Sequence, residues 1–468
     1  MLYTDTLFLI LLGALLVLSR LLRSRPAAKE WLLIAFSLLV IATWGYYDLV
    51  LFLAVLGVNF AAARWLPRLR ANRAKALLAA AISFDVGTLA LFKYANFLGG
   101  AFSDALSIHL PRFPLGIPLA ISFYVFHLVS YLVDIHKKRV HVATFREYLF
   151  YLSFFPHVIA GPIVRAWQLI PQIGRVSARR ARTDLTMGCH YLVLGFFLKT
   201  VGANNIARAI DPYWVGQAPF DLTSAERWIV AFLYYCQIYG DFAGYSLMAL
   251  GMARLLGYRL PANFRAPMRA ASLQEFWHRW HITLSRWLRD YLYIPLGGGR
   301  AAPARVAFNV FATFLLGGLW HGAAWGFVVW GAMHGAGLVA ERVLGRRKAE
   351  PGPLGVLGFW AATQAWILLT WVFFRAPDLG TAWEWARAMI VPTPSHSPAH
   401  PAFFVRDVPV LGLLVCAVPS LLHHFAPDVV RHAGRRRLGT VLGLVTGALF
   451  IVNLIVLSPG ATFLYFRF

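Results

Sequence analysis

Three histidines between residues 275 and 334 are the side chains best suited to chemistry in this sequence. His321 lies deep in an apolar stretch, and His281 and His334 precede and follow it. An ionisable side chain in such a segment is costly, which makes it a candidate functional residue. Burial favours the neutral imidazole, which can take a proton from a hydroxyl while its oxygen attacks a thioester or ester carbonyl. A second histidine nearby could orient the acceptor or stabilise the developing oxyanion.

Metal, nucleotide and serine-hydrolase chemistry find little support in the sequence. His278 and His281 are spaced i, i+3, which can place two ligands on one helix face. However, the sequence has no HExxH motif, no cysteine with metal-like spacing and no dense set of carboxylates. The GxxxxGK[ST] and GxSxG patterns are also missing from it. We therefore predict no bound metal and no bound cofactor.

The elements that would position these histidines differ in character. Residues 273–296 place apolar side chains at helical spacing, with arginines elsewhere around the helix, which predicts one amphipathic helix on the cytoplasmic membrane interface. The apolar face consists of Trp277, Trp280, Leu284, Trp287 and Leu288. This helix either lines the site and carries His281 or serves only as an anchor. His334 is interpreted as a bystander.

The composition predicts an integral membrane protein. Hydrophobic residues make up 59% of the 468 residues, charged residues make up 14%, and the mean hydropathy is +0.61. Apolar runs recur along the chain, and several approach the ~20 residues needed to cross a bilayer. We predict an all-α polytopic fold of about ten or eleven transmembrane helices, with interfacial or re-entrant helices. Residues 1–468 are predicted to form one membrane domain, with the catalytic motifs at about 275–334.

The charge distribution predicts orientation and excludes a nucleic-acid partner. The chain carries 44 Lys and Arg against 20 Asp and Glu, but these basic residues cluster in short gaps between apolar runs. That is the positive-inside pattern, so these gaps should face the cytoplasm and both termini should be extracytoplasmic. Gaps with few basic residues, at 99–118, 211–224 and 376–409, are predicted to be external loops.

Several motifs carry a resemblance to the membrane-bound O-acyltransferase family. They cover much of the chain after residue 92, and those at 275–298 and 315–325 are the most specific. The motifs are FKYANF (92–97), PLAISFYVFHLVSYLVDI (118–135), YLSFFPHVIAGPIVR (151–165), QIYGDFAGYSLMALGMARLLGY (237–258), EFWHRWHITLSRWLRDYLYIPLGG (275–298) and LLGGLWHGAAW (315–325). The sequence resembles in particular the bacterial branch that contains alginate O-acetyltransferase membrane subunits and, more distantly, teichoic-acid D-alanyl transfer proteins.

The resemblance implies a site, a fold and a reaction. His321 in LWHG matches the family's catalytic histidine, and His281 in RWHI matches its upstream partner position. It further implies a central tunnel, acetyl-CoA as donor, a periplasmic SGNH-type acetyltransferase as partner, and O-acetylation of an extracytoplasmic polysaccharide such as alginate, cellulose or peptidoglycan. His127 and His157 depart from the pattern, because glutamine is expected at both positions.

Two alternatives remain open from the residues. A transporter or polysaccharide-export component could use intramembrane Asp85 and Asp241 as a proton or substrate path. The missing internal repeat weakens that reading. Alternatively, the transferred group could be D-alanine. Asp241 and Asp290 could instead cap helices or pair with Arg254 or Arg289.

Overall fold

The chain is built from α-helices. The computed structural model describes residues 3–108, 111, 116–159, 161–178, 185–216, 222–344, 352–391, 444 and 446–451. No β-strand occurs among these residues. The predicted all-α class is therefore confirmed. Residues 392–409, part of one predicted external loop, and the basic residues at 431–437 lie outside the described residues.

The helices within the described residues are numbered in chain order. They are α1 Thr6–Leu21, α2 Pro26–Ala42, α3 Tyr46–Trp65, α4 Ala71–Leu106, α5 Ile121–His136, α6 Phe145–Ser153, α7 Phe155–Val158, α8 Ala166–Ala178, α9 Leu185–Phe196, α10 Asn204–Trp214, α11 Ser224–Leu256, α12 Leu273–Arg279, α13 Ile282–Leu288, α14 Pro303–His321, α15 Trp325–Leu344, α16 Pro353–Arg375 and α17 Leu379–Ile390. Two π-helical segments, Phe197–Ala203 and Arg289–Tyr293, continue α9 and α13.

Six helical stretches among the described residues are long and apolar enough to cross a membrane. They are Thr6–Ser24, Tyr46–Arg68, Ala71–Leu106, Leu185–Trp214, Pro303–His321 and Pro353–Arg375. The polytopic class is confirmed by these spans. The count of ten or eleven, the central tunnel and the single domain remain predictions.

All three gaps predicted to be external loops are partly helical, and their external location stays a prediction. Helix α10 extends to Trp214 and α11 begins at Ser224, within the gap 211–224. Helix α4 runs 36 residues to Leu106, about 54 Å at 1.5 Å per residue, and so occupies the start of 99–118. Helix α17 lies inside 376–409. The Asp378 side chain caps α17 by accepting from the Thr381 N–H at 2.8 Å. Sequence polarity therefore marked the gaps without marking the helices within them.

The chain divides into two compact units, and the first comprises Met1–Leu192 with Met248–Pro261. Its core includes an aromatic cluster in which the Phe155 ring packs on Phe8 and Phe36, with centroid distances of 6.1 and 5.0 Å. A buried carboxylate, Glu30, pairs with Arg146 at 2.9 Å. The neighbouring Lys29 ammonium donates to the Leu256 carbonyl at 2.9 Å. Both charges of α2 thus have partners within this unit.

The second unit comprises Val193–Leu247 with Ala262–Phe468 and contains all three candidate histidines. Helices α14 and α15 pack closely because glycines face each other across the contact. A Cβ on Gly318 would lie 2.3 Å from the Phe327 carbonyl oxygen, and one on Gly331 would lie 2.5 Å from that of Phe314. Only a residue without a side chain fits at either position. This contact fixes the segment that ends at His321.

Candidate active site

The predicted helix over 273–296 is broken at His281. Helix α12 ends at Arg279, Trp280 is extended, and His281 adopts left-handed backbone angles of φ 41° and ψ 53° before α13 begins. A non-glycine residue in this region is strained, and such strain is often found at functional sites. The prediction of one continuous interfacial helix is therefore wrong. Its apolar side chains, from Trp277 to Leu288, are nevertheless buried.

A distant asparagine explains the break. The Asn263 carbonyl accepts from the Ile282 N–H at 2.8 Å, and its side-chain oxygen accepts from the Thr283 hydroxyl at 2.6 Å. The Asn263 amide in turn donates to the Ser246 hydroxyl at 3.0 Å. These bonds satisfy groups that a continuous helix would satisfy internally. Tertiary hydrogen bonds therefore interrupt the helix that the apolar spacing predicted. His281 lies at this interruption and is buried inside the unit.

Helix α12 is also anchored from α15. The Glu341 carboxylate accepts from the backbone N–H groups of Leu273 and Gln274, at 2.6 and 3.2 Å. A carboxylate at a helix N-terminus is favourable because it meets otherwise unpaired N–H groups. This cap holds the chain that leads to His281 against the helix that follows His321.

The imidazole of His281 is fully buried, and neither ring nitrogen has a hydrogen-bond partner among the described residues. Its ring packs on Phe242 with centroids 4.6 Å apart. His281 lies outside the six candidate spans, and burial lowers its pKa to about 3, so the ring is neutral at physiological pH. A neutral imidazole has one donor and one acceptor. Both are available to a ligand here.

His321 ends α14 and is surrounded by aromatic rings. It is 5% exposed, and its ring packs on Trp320, Trp330 and Phe374 with centroid distances of 5.0, 5.0 and 5.2 Å. The next residue must be glycine, because a Cβ on Gly322 would lie 2.0 Å from the Phe327 ring. The helix therefore ends in a tightly packed turn that fixes the imidazole.

The Trp320 ring brings the two histidines into one cluster. Its centroid lies 6.2 Å from the ring centroid of His281 and 5.0 Å from that of His321. Two side chains separated by 40 positions in the chain thus contact the same indole. Neither Trp320 nor Trp330 was predicted as a site residue. Trp320 is the second residue of the LWHG motif, and Trp330 lies downstream of it.

His334 is held by hydrogen bonds at both ring nitrogens. The Trp277 indole donates to its Nδ1 at 3.3 Å, and its Nε2 lies 3.1 Å from the Thr370 hydroxyl, which donates to the Ile367 carbonyl. Since Nδ1 accepts and that hydroxyl proton is engaged, Nε2–H donates to Thr370. A neutral imidazole satisfied at both positions suits a structural role, which supports the bystander interpretation.

His278 and His281 do not share a ligand-binding face. His278 is exposed on α12, whereas His281 is fully buried beyond the break. Among the described residues, no group of three or more His, Cys, Asp or Glu side chains is arranged to hold a metal ion. Because the helix is interrupted between them, the i, i+3 spacing of these two histidines does not put them on one helix face.

The acidic residues considered for a transport path have partners. Asp241 pairs with Lys199 at 2.5 Å, and both side chains are 3% exposed. Of the predicted alternatives, the pairing of Asp290 with Arg289 is confirmed, at 2.8 Å. Lys199 was not among the predicted partners of Asp241, although a lysine inside an apolar run was a usable signal. Asp241 adjoins Phe242 and so links this ion pair to the packing of His281.

In the first unit, the third aspartate is also engaged. The Asp85 carboxylate accepts from the Asn59 amide at 2.6 Å, and both side chains are fully buried. This hydrogen bond joins α3 and α4.

The two departures from the expected glutamine pattern, His127 and His157, are neighbours in the first unit. Their ring centroids are 4.8 Å apart, and both side chains are fully buried. His127 donates from Nδ1 to the Phe123 carbonyl at 2.8 Å and accepts at Nε2 from the Val164 N–H at 3.1 Å. His157 donates from Nε2 to the Tyr151 carbonyl at 2.8 Å. Imidazoles here make the backbone hydrogen bonds that side-chain amides could also make.

A sequence profile described as the membrane-bound O-acyltransferase family matches residues 36–355. The probable alginate O-acetylase AlgI of Pseudomonas aeruginosa is 36% identical over 373 residues, which cover 77% of this chain and 69% of that protein. The peptidoglycan O-acetyltransferase of Helicobacter pylori is 34% identical over 391 residues, covering 77% and 73%. The teichoic acid D-alanyltransferase of Streptococcus thermophilus is 29% identical over 245 residues, covering 49% and 58%.

Proposed function

Because the chain belongs to the membrane-bound O-acyltransferase family, we propose that it moves an acetyl group from cytosolic acetyl-CoA toward hydroxyls of an extracytoplasmic polysaccharide. The chain is a multi-pass membrane O-acyltransferase. The acetyl group and the polysaccharide are favoured because two relatives, from Pseudomonas aeruginosa and Helicobacter pylori, are named for O-acetyl transfer to alginate and peptidoglycan.

The observation that carries the proposal is the buried pair of histidines on Trp320. His321 is assigned as the general base and His281 as the residue that orients the acceptor hydroxyl or donates to the oxyanion. His281 suits this role because both of its ring nitrogens are buried and lack a hydrogen-bond partner among the described residues. Leaving such groups unpaired is costly, so their presence favours a ligand that completes them.

The reaction is an addition followed by an elimination. His321 takes the hydroxyl proton as the oxygen bonds to the acetyl carbon, and the carbonyl electron pair moves onto its oxygen. The tetrahedral intermediate then collapses, the C–S bond breaks, and the proton passes from His321 to the leaving thiolate. The products are an acetyl ester and the free thiol of CoA. Every group is neutral before and after the reaction; the His321 cation and the oxyanion form together and are neutralised when the thiolate takes the proton.

The basic clusters support a membrane orientation. The clusters at Arg64–Arg73 and Lys137–Arg139, each between apolar helices, favour a cytoplasmic location for these gaps in a bacterial inner membrane. With that orientation both termini are extracytoplasmic. Donor and acceptor then reach the histidines from opposite faces through a tunnel. A periplasmic SGNH-type acetyltransferase is the proposed partner that passes the acetyl group to the polymer.

A deletion strain of the source bacterium tests the proposed class of reaction. Mild alkali releases ester-linked groups from isolated surface polymers, and chromatography distinguishes acetate from D-alanine. We expect the deletion to lose ester-linked acetate from one polysaccharide and the wild-type gene to restore it. Loss of D-alanine with unchanged acetate would show that the transferred group is D-alanine. A polymer that is no longer exported but is fully acetylated inside the cell would identify an export component instead.

A further inference from the structure

The ring of Trp330 lies directly against the proposed base. Trp330 belongs to α15, is 1% exposed, and packs edge to face on His321 with centroids 5.0 Å apart. The Phe374 ring contacts both of them, at 5.1 Å from Trp330 and 5.2 Å from His321. The indole is therefore part of the wall around His321.

The indole N–H of Trp330 is a buried donor that has no acceptor among the described residues. Two other indoles of this unit are satisfied: Trp277 donates to His334 at 3.3 Å, and Trp228 donates to the Met389 carbonyl at 2.9 Å. The indoles of Trp214, Trp366 and Trp371, like that of Trp330, lack an acceptor among the described residues. Trp330 differs from these three in that its ring contact with His321 is established. An indole N–H can only donate, so it requires an acceptor atom. A buried donor left unpaired is costly, and functional sites are one place where such groups persist.

Three aromatic rings that contact His321 differ in what they can donate. They belong to Trp320, Trp330 and Phe374. Phe374 has no donor, and the Trp320 indole is not among the buried groups lacking a partner. Trp330 thus offers the unmatched N–H beside the base, and it carries no charge that would need compensation in a buried site.

We propose that Trp330 is a catalytic residue whose indole N–H donates a hydrogen bond to the acetyl carbonyl oxygen as that oxygen becomes negative. The inference rests on the proposed function, in which His321 removes the hydroxyl proton. In the addition step the negative charge develops on the carbonyl oxygen, and preorganised donors aimed at that oxygen lower the barrier. Collapse of the intermediate returns the electron pair to the C=O bond, and the N–H remains unchanged throughout.

The test substitutes Trp330→Phe in the full chain, which removes the N–H and retains an aromatic ring. Purified protein in lipid nanodiscs is given acetyl-CoA and an oligosaccharide that supplies the acceptor hydroxyls, and release of the CoA thiol is measured. Loss of one oxyanion donor lowers kcat about 10²- to 10³-fold. Binding of acetyl-oxa(dethia)-CoA, an ester analogue that is slow to react, should change little, because the hydrogen bond strengthens mainly in the transition state.

A spectroscopic measurement separates this role from packing. The infrared carbonyl stretch of the bound ester analogue, labelled with carbon-13, should move to higher frequency in Trp330→Phe because a hydrogen bond to the carbonyl is lost. The matched control is Trp366→Phe. Its indole N–H also lacks an acceptor among the described residues, but it faces Gly337 in place of His321. We expect the control to keep the wild-type kcat and carbonyl frequency.

A second substitution covers the case in which Trp330→Phe does not fold. Benzothienylalanine at position 330 replaces the N–H with sulfur and keeps the bicyclic ring, and it should produce the same loss of kcat. Wild-type kcat or an unshifted carbonyl band in a folded variant at position 330 would overturn the inference. His321→Ala, measured in parallel, distinguishes the two proposals. If His321→Ala is inactive while the Trp330 variants are normal, only the inference fails; if His321→Ala is fully active, the proposed base fails as well.

Discussion

The imidazole of His281 contacts the indole of Trp320, with ring centroids 6.2 Å apart, and His321 follows Trp320 directly in the chain. The Trp320 side chain thus connects the left-handed turn at His281 with the C-terminal end of α14. The first prediction tests this junction. Trp320→Ala should lower acetyl transfer at least about tenfold per folded molecule, because a misplaced catalytic group loses rate steeply.

The matched comparison for Trp320→Ala uses two further variants. Trp320→Phe retains a ring and should lose less activity than the alanine variant. Trp325→Ala changes an indole that is 53% exposed, and it should leave the rate near that of the wild type. Equal losses in all three variants would show that the contact with His281 has no special role.

The second prediction concerns the buried ion pair beside the site. Lys199→Met should destabilise the protein by about 3–5 kcal/mol, because it leaves the Asp241 carboxylate buried without its counter-charge. Adding Asp241→Asn to that variant should recover much of the loss, since no charge then remains. Thermal unfolding of the purified protein measures both. The control Arg289→Gln breaks a pair in which the arginine is 59% exposed, and it should change stability by less than about 1 kcal/mol.

Recovery of activity in the double variant is a separate readout. Asp241 adjoins Phe242, whose ring packs on His281 at 4.6 Å. Acetyl transfer should therefore return together with stability. If the double variant is less stable than Lys199→Met, the charges of Lys199 and Asp241 do not stabilise each other as proposed.

The third prediction concerns the glycine contact between α14 and α15. Gly331→Ala places a Cβ 2.5 Å from the Phe314 carbonyl oxygen and 3.1 Å from the Gly318 Cα, so the helices must move apart. Overpacking of this kind costs about 1–3 kcal/mol. Gly358→Ala, in α16, meets no atom within 4 Å and should be neutral or stabilising by up to about 1 kcal/mol. Tm should fall in Gly331→Ala and stay unchanged or rise in Gly358→Ala; an unchanged Tm in Gly331→Ala would contradict the close contact.

The fourth prediction is a pH dependence of stability at His281. Its pKa is about 3 in the folded protein and about 6.5 in the unfolded chain, so the unfolded state binds the proton more tightly. The stability associated with this residue is complete above pH 6.5 and falls by about 1.4 kcal/mol per pH unit below it. His281→Asn should therefore lose less stability than the wild type when the pH falls from 6.5 to 5, by about 2 kcal/mol.

Unfolding measured at both pH values reports this difference, because the other buried histidines contribute equally to both proteins. His278→Asn is the control, since His278 is exposed and three positions away. It should keep the wild-type dependence on pH. A His281→Asn variant with the same dependence as the wild type would show that this imidazole is not buried in its neutral form.

Composition and apolar runs predicted the membrane class, and helical spacing placed Trp277 and Trp280 on one apolar face, because both features are local in the sequence. The break at His281 was not predictable, since it depends on hydrogen bonds from Asn263, which lies outside the helical pattern. The spacing of the apolar residues on either side of the break is the same as in an unbroken helix. The spacing of apolar residues gives no information about hydrogen bonds from residues elsewhere in the chain.

In the candidate site, too, some features could be predicted from the sequence and others depend on tertiary packing. The position of His321 in a deep apolar segment marked it directly, whereas its contacts with Trp330 and Phe374 arise only when three helices pack together. The pairing of Asp241 with Lys199 likewise depends on how the π-helical segment after α9 lies against α11. Residue type identified candidates, and tertiary packing selected their partners.

The acetate content of the surface polysaccharide in a strain carrying His321→Ala tests the central claim most directly. The protein should insert and accumulate normally, and ester-linked acetate should fall to the level of the deletion strain. A strain carrying His278→Ala, which alters an exposed histidine of the same unit, should retain the wild-type content. Wild-type acetate in the His321→Ala strain would contradict the assignment of His321 as the base.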